Sequence, residues 1–246
     1  MTPITAIIIS LNEADRIGET VASLGFCDEI VVVDAGSSDQ TREIALRKGA
    51  RVLTRKWKGY SDQKNHAARE ASNDWVLSID ADERPSIELG NEIVRWKQTT
   101  PGADLAGVSM PRRAFYLGRW IGHSGWYPDR KVRLYDRRRG EWEGDFVHEG
   151  LRITGRVERF DGDLLHFPYR SIQDHQERID RYTALAAAQA RSNHRQFNPL
   201  KLVLGPVLFF VKTFLIQRGF LDGRQGARIA YMGARYVFLK EFRILR

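Results

Sequence analysis

Short apolar runs alternate with polar stretches of helical period over the first hundred residues, and that alternation predicts strand–helix–strand units in a mostly parallel sheet. Thr5–Ser10, Glu29–Asp34, Arg51–Thr54 and Trp75–Asp80 read as strands, with helices beginning near Glu13, Ser38 and Ser61. Ser37 with Gln40 three positions on has the spacing of a capping box, which places the second helix directly after Gly36. Pro85 suits the first turn of a fourth helix that reaches about Gln98. Between Ala106 and Phe167 the pattern changes to short strand-like pieces rich in Trp, Tyr, Gly and Arg, which predicts a mixed sheet with long loops. Three helical segments follow: Ser171 to about Asn193, Pro199 to about Arg218, and Arg224 to about Phe242, with Gly219–Gly226 as a hinge. The expected organisation is an α/β domain over residues 1–170 and a helical segment over 171–246.

Composition adds little until charge is placed along the chain. At 246 residues, with 42% hydrophobic and 28% charged side chains, the chain can bury a core and is not a disordered polymer. Cys27 is the single cysteine, which rules out an internal disulfide and fits a reducing compartment. Met1-Thr2-Pro3 leads straight into a strand, so no targeting peptide is expected. The net charge of +8 is uneven: residues 1–190 hold 28 basic and 29 acidic side chains, whereas residues 191–246 hold 11 and 2. The same tail contains the most apolar run, Leu202 to Val211, well short of the ~20 residues of a spanning helix. Basic groups beside such a run predict a helix lying in the headgroup region of an anionic membrane. An ordinary solvated basic helix is the plainer alternative, and a nucleic-acid partner is not expected because it has no use for the apolar run.

Ligands of open α/β sheets bind beyond the carboxyl ends of the strands. Three strand ends are unusually polar: Ser10-Leu11-Asn12-Glu13, Asp34-Ala35-Gly36-Ser37-Ser38-Asp39 and Asp80-Ala81-Asp82-Glu83. Asp80 and Asp82, two apart, send both carboxylates to one side of an extended chain. A Mg²⁺ or Mn²⁺ bridging a nucleoside diphosphate suits such a pair, and a capped turn before the next helix is the structural alternative. No Walker loop, no G-x-G-x-x-G after the first strand and no G-x-S-x-G elbow is present, which disfavours P-loop enzymes, dinucleotide dehydrogenases and serine hydrolases.

The residues from Thr5 to about Arg84 resemble the inverting family 2 glycosyltransferases of GT-A fold. The motifs stand in family order: Asn12-Glu13, Val33 to Thr41, Gln63-Lys64-Asn65, and Asp80-Ala81-Asp82-Glu83. Val147 to Gly150, Leu165 to Ser171 and Arg218 to Gly226 look like the lipopolysaccharide inner-core β-1,4-glucosyltransferases of that family. The resemblance implies a Rossmann-like nucleotide-binding mixed sheet flanked by helices, with the basic helical tail associating with membrane.

It also implies roles. Ser10, Leu11, Asn12, Glu13 and Asp34 would line the nucleoside pocket, Lys64 would contact the base or a phosphate, and Asp80, Ala81 and Asp82 would bind the donor. Asp82 would be the direct metal ligand, with Asp80 assisting and His166 approaching the metal or diphosphate. Inverting transfer needs a carboxylate to take the proton of the attacking hydroxyl. Glu149 and Asp145 are the candidates, Glu149 first because it follows a predicted strand with His148 beside it. Trp126, Tyr127, Arg130 and Arg133 belong to an aromatic and basic stretch suited to a phosphorylated sugar acceptor.

The expected activity is metal-dependent transfer of a hexose, glucose first, from a UDP-type donor to a membrane-borne glycolipid such as an inner-core heptose. The place is the cytoplasmic face of a bacterial inner membrane. Transfer to a polyprenyl phosphate is the alternative within the class, and a sugar nucleotidyltransferase the more remote one.

Overall fold

Isoleucine and valine dominate the early apolar runs, and strands buried on both faces need such continuous runs rather than alternation. The computed structural model describes residues 1–144 and 149–245. The first half contains β1 (Ile4–Ser10), α1 (Ile17–Ala22), β2 (Glu29–Asp34), α2 (Thr41–Arg47), β3 (Arg51–Thr54), α3 (Tyr60–Glu70), β4 (Trp75–Asp80), β5 (Glu83–Pro85) and α4 (Ile87–Lys97). Then follow β6 (Leu105–Tyr116), β7 (Arg119–Trp120), β8 (Asp129–Asp136), β9 (Gly140–Glu143), β10 (Gly150–Ile153), β11 (Arg156–Arg159) and β12 (Leu164–His166). The helical part comprises α5 (Ile172–Ser192), α6 (Pro199–Val211) and α7 (Gly223–Leu245).

Two compact units emerge, Met1–Arg112 with Asp129–His166, and Arg113–Pro128 with Phe167–Arg246. In the first unit the sheet order is β3-β2-β1-β4-β8-β6-β12-β5, with β9 and β10 forming a separate hairpin. β1, β2, β3 and β4 are parallel, and β8 runs antiparallel to β4 and β6. Ile4, Ala6 and Ile8 pack with Ile17, Val21, Leu89 and Ile93 of α1 and α4 on one face. Ile7, Val31, Val33 and Val76 meet Ala67 and Ala68 of α3, with Tyr135 and Trp142, on the other. Burial of a single such branched side chain contributes roughly 1.5–3 kcal/mol, so this double-faced core is what holds the polar strand ends in register. Ser10 pairs with Asp34, and Ile9 with Asp80, which brings the three polar turns to one sheet edge.

Two local expectations are corrected. The Ser37 capping box does not form: the Ser37 hydroxyl donates to Asp34 at 2.5 Å, and α2 starts at Thr41, whose amide is received by Asp39 at 3.0 Å. Pro85 closes β5 rather than opening α4, and Ser86 is the cap, accepting from the Leu89 amide at 3.1 Å.

In the second unit α7 contacts both α5 and α6. α6 continues through a π-helical turn, Lys212–Ile216, so the apolar helix runs from Pro199 to Ile216. These 18 residues, almost none of them buried, are long and apolar enough to cross a membrane by length and composition alone. The apolar helix is therefore longer than the Leu202–Val211 run suggested, about 27 Å at ~1.5 Å per residue. The glycines of residues 219–226 are not a loose hinge. A 3-10 turn, Gly219–Asp222, leads directly into α7, and a Cβ on Gly226 would collide with the Gly219 carbonyl.

Candidate active site

The turns after β1 and β2 are knitted by their own side chains. Asp34 is fully buried and accepts from the Ser10 hydroxyl at 3.0 Å, the Gly36 amide at 3.0 Å, the Ser37 amide at 2.7 Å and the Ser37 hydroxyl. Asn12, at φ 55°, accepts from the Ser38 amide at 2.9 Å, and its own amide donates to the Ser37 hydroxyl at 2.9 Å. The Glu13 amide donates to Thr41 Oγ1 at 2.8 Å. Leu11 stands exposed at the tip of this loop. With its oxygens occupied in this way, Asp34 shapes the loop.

The β4 end carries the charge. Asp80 Oδ1 lies 2.9 Å from Lys64 Nζ, and its Oδ2 accepts from Arg133 at 2.7 Å. Glu83, wholly buried, accepts from Arg133 at 2.7 Å, from Arg112 at 3.3 Å and from the Asp80 amide at 3.1 Å. Burial alone would raise the Asp80 carboxyl, but the charges of Arg133 and Lys64 outweigh it and hold the group far below the ordinary carboxylate range. The same carboxylates, against the cost of burial, hold the Arg133 guanidinium firmly protonated.

Lys64 is 1% exposed, its ammonium 4.3 Å from the Trp142 ring centroid and 2.9 Å from Glu149 Oε1. Local structure explains the meeting. Asn65, the next residue on α3, donates to the Trp142 carbonyl at 2.8 Å and accepts its amide at 2.9 Å, and Ser61 donates to the Gly144 carbonyl at 2.9 Å. The β9–β10 hairpin thus hangs on α3, and Glu149, just before β10, reaches the lysine of the same helix. Its second oxygen, Oε2, is buried without a hydrogen-bond partner among the described residues. Asp145, the other base candidate, and His148 lie outside the described residues.

Asp82 does not extend β4, because the strand ends at Asp80 and residues 81 and 82 turn. The two carboxylates accordingly have different partners, which corrects the extended-chain picture. Ala81 is buried and its carbonyl accepts from Thr20 at 2.8 Å. Asp82 Oδ2 lies 3.5 Å from His166 Nε2 and 3.6 Å from Arg16. Among the described residues no three His, Cys, Asp or Glu side chains gather as a metal cage. Asp82 and His166 nonetheless fit a Mg²⁺ or Mn²⁺ that takes its other ligands from phosphate and water, whereas both Asp80 oxygens are engaged by cations.

The four acceptor candidates divide between the units. Trp126 packs edge-on against Tyr116 at 5.5 Å, and Tyr127 lies 5.6 Å from the Arg113 guanidinium, both in the second unit. Arg130 donates to the Phe160 carbonyl at 2.9 Å and to Asp161 at 3.1 Å. Arg133 is 4% exposed and serves the Asp80–Glu83 network. Arg112 and Trp142 are site residues to which the sequence assigned no role, and Glu83 was quoted only as part of the Asp80–Glu83 motif. The signal was an arginine between Val132 and Leu134 in an apolar strand, which needs a buried carboxylate.

A parallel nucleotide-binding half-sheet continued by antiparallel strands, with acidic residues at the β4 end, is the architecture of a GT-A glycosyltransferase. The family model for "Glycosyl transferase family 2" matches residues 5–153, and the chain belongs to that family. It is 30% identical over 249 residues to the lipopolysaccharide core biosynthesis glycosyltransferase LpsC of Rhizobium meliloti (strain 1021), covering 98% of this chain and 92% of that protein. It is 47% identical over 262 residues to an uncharacterized glycosyltransferase of Rickettsia bellii (strain RML369-C), covering 98% and 86%. Among solved structures, glucosyl-3-phosphoglycerate synthase from Mycobacterium tuberculosis, in complex with Mn²⁺, UDP and glucosyl-3-phosphoglycerate, superposes with a TM-score of 0.51 at 16% identity, covering 77% of this chain and 79% of that one.

Proposed function

We propose that this glycosyltransferase moves a hexose, glucose first, from a UDP-type donor to a hydroxyl of a membrane-borne glycolipid, with inversion at the anomeric carbon. The observation that carries the reading is Lys64, one buried ammonium touching both Asp80 of the donor strand and Glu149. Glu149 is the base: Lys64 orients it through Oε1, and Oε2 has no partner among the described residues to compete for a hydroxyl proton. A carboxylate kept for deprotonation favours a sugar hydroxyl over a polyprenyl phosphate as acceptor. Ser10 to Glu13 and Asp34 form the nucleoside loop, and Lys64, Asp80 and Ala81 complete the donor floor. Asp82 and His166 would hold the divalent cation, whose chemistry is to neutralise the departing diphosphate. Trp126, Tyr127 and Arg130 are assigned to the acceptor.

The lipopolysaccharide core relative supports a core saccharide as acceptor, and an inner-core heptose is the one proposed. The exposed apolar helix and the basic tail support attachment to anionic lipid at the cytoplasmic face of a bacterial inner membrane.

A thermal-shift panel of nucleotide sugars with and without Mn²⁺ tests the donor side, since a ligand that binds the native state raises its melting temperature. UDP-glucose should stabilise the protein in Mn²⁺, and Asp82→Ala should abolish the metal-dependent part. Stabilisation by nucleoside triphosphates instead of nucleotide sugars would move the assignment to a nucleotidyltransferase.

A further inference from the structure

We propose that a second concavity of the first unit, at the opposite end of β4 from Asp80, binds the phosphate groups of a phosphorylated saccharide. It is an open basin of about 1050 Å³, and its lining includes Arg69, Arg137, Arg138, Arg139 and Arg152. Asp74 immediately precedes β4 and Arg137 immediately follows β8, so the concavity opens at the amino end of β4, whereas Asp80 ends that strand. Six strand residues at ~3.3 Å each put Asp74 nearly 20 Å from Asp80, although Asn65, next to Lys64 on α3, also lines the concavity.

The arginines differ in what they are already doing. Arg137 donates to the carbonyls of Ala68 at 3.1 Å and Ala71 at 2.6 Å, closing the end of α3. Arg138 pairs with Asp136 at 2.7 Å and Asp74 at 3.0 Å, and Arg152 with Glu143 at 2.7 Å. Arg69 and Arg139 are exposed, and among the described residues their guanidinium groups have no hydrogen-bond or ion-pair partner. Arg139 feels the charges of Asp104 and Asp136 without contacting either, and the described lining carries five arginines against Asp74 and Glu141.

The rest of the lining selects the ligand class. It contains no lysine, and the guanidinium fork matches a phosphate through two parallel hydrogen bonds where an ammonium offers a point charge. Among the described residues it contains no aromatic ring, so a nucleobase would have only guanidinium planes to stack on, which favours a phosphorylated saccharide over nucleotides and single-stranded nucleic acid. Asp74, Glu141 and Thr154 supply acceptors for sugar hydroxyls beside the phosphate-binding forks. The saccharide is a distal, phosphate-bearing part of the acceptor; that identity rests on the transferase reading, whereas the binding does not.

The test is calorimetric titration of the full chain with fructose 1,6-bisphosphate in saturating UDP and Mn²⁺, which keeps the donor site filled. Wild type should bind the bisphosphate and not fructose. The Arg69→Ala/Arg139→Ala double variant should lose affinity by roughly tenfold or more, because two charge-assisted contacts are removed. UDP affinity and sedimentation with phosphatidylglycerol vesicles should stay unchanged in that variant. Absence of bisphosphate binding by wild type, or equal binding by the variant, would overturn the proposal. Loss of vesicle sedimentation with bisphosphate binding intact would overturn it too, assigning the arginines to a lipid headgroup. Failure of UDP to bind while the bisphosphate still does would count against the donor assignment alone.

Discussion

Lys64→Met removes one cation from between two carboxylates and keeps the length of the side chain over Trp142. Deleting one partner of a buried ion pair costs about 3–5 kcal/mol. Asp80 and Glu149 retain 26% and 28% side-chain exposure, and Arg133 still holds Asp80, so a loss of about 2–3 kcal/mol at pH 7 is the discounted expectation. For a chain of this size, at about 2–4 °C per kcal/mol, the melting temperature should drop by roughly 4–12 °C. The pH dependence has a definite sign. Lys64 helps to depress Asp80, so its stabilisation is complete above the unfolded carboxyl value of about 3.9 and is lost as pH falls below that toward the folded value. Differential scanning calorimetry of both proteins should show a gap in melting temperature that is constant from pH 7 to about 4 and starts to close only below that. A drop under about 1 °C at pH 7 would refute the idea that a buried ammonium holds this site together.

Glu149→Gln should leave UDP-glucose affinity in place and lower turnover by roughly 10²–10⁴, the usual contribution of a general base; near-normal turnover in steady-state assays would exclude it from that role. In the second unit, burial pushes the His175 imidazole down to about 4, with Nδ1 2.9 Å from the Tyr116 hydroxyl. The unfolded chain takes up that proton first, so stability should fall between pH ~6.5 and ~4 by about 3 kcal/mol. Urea midpoints of wild type and His175→Gln compared over that range should show the variant with the shallower slope, and equal slopes would be the contrary result. Val203→Asp with Val207→Asp, both on the exposed side of α6, should abolish sedimentation with anionic vesicles while UDP-glucose still binds. For wild type, 0.5 M salt should weaken that sedimentation without eliminating it, and vesicle binding that survives both substitutions would return α6 to an ordinary solvated helix.

β1, β2 and β4 were legible because burial on both faces leaves a short apolar run that ends in a polar turn. The donor turns were legible for a related reason, since polar residues collect where the strands stop. The partners of those residues were not. Arg133 reads as acceptor chemistry in a basic, aromatic stretch, and only the antiparallel pairing of β8 with β4 carries it to Asp80 and Glu83. Ser37 satisfies the spacing of a helix cap, yet a buried aspartate three residues earlier competes for its hydroxyl. Glycines 219 to 226 read as freedom, and the structure uses them for close approach of backbone to backbone.

The contact between α6 and α7 limits how the apolar helix can meet lipid. A Cβ on Gly205 would press on Val237, and one on Gly233 would collide with the Phe209 ring, so the two helices run in opposite directions with side chains of each sunk into the other. α7 carries Arg224, Arg228, Arg235, Lys240 and Arg243, and Arg235 reaches Asp180 of α5 at 3.4 Å. Dragging even one such charge to the centre of a bilayer costs about 2.5–3.5 kcal/mol on insertion scales. To cross, α6 would have to take α7 with it or be torn from it, so the proposed attachment would have it lie flat. Its rotation is fixed by the same glycines, which turns Leu200, Val203, Leu204, Val207, Leu208, Val211 and Leu215 outward as one keel. On the proposed reading, an enzyme so ballasted would glide along the leaflet at a constant depth, and its search for a lipid-borne acceptor would become a walk in two dimensions instead of three.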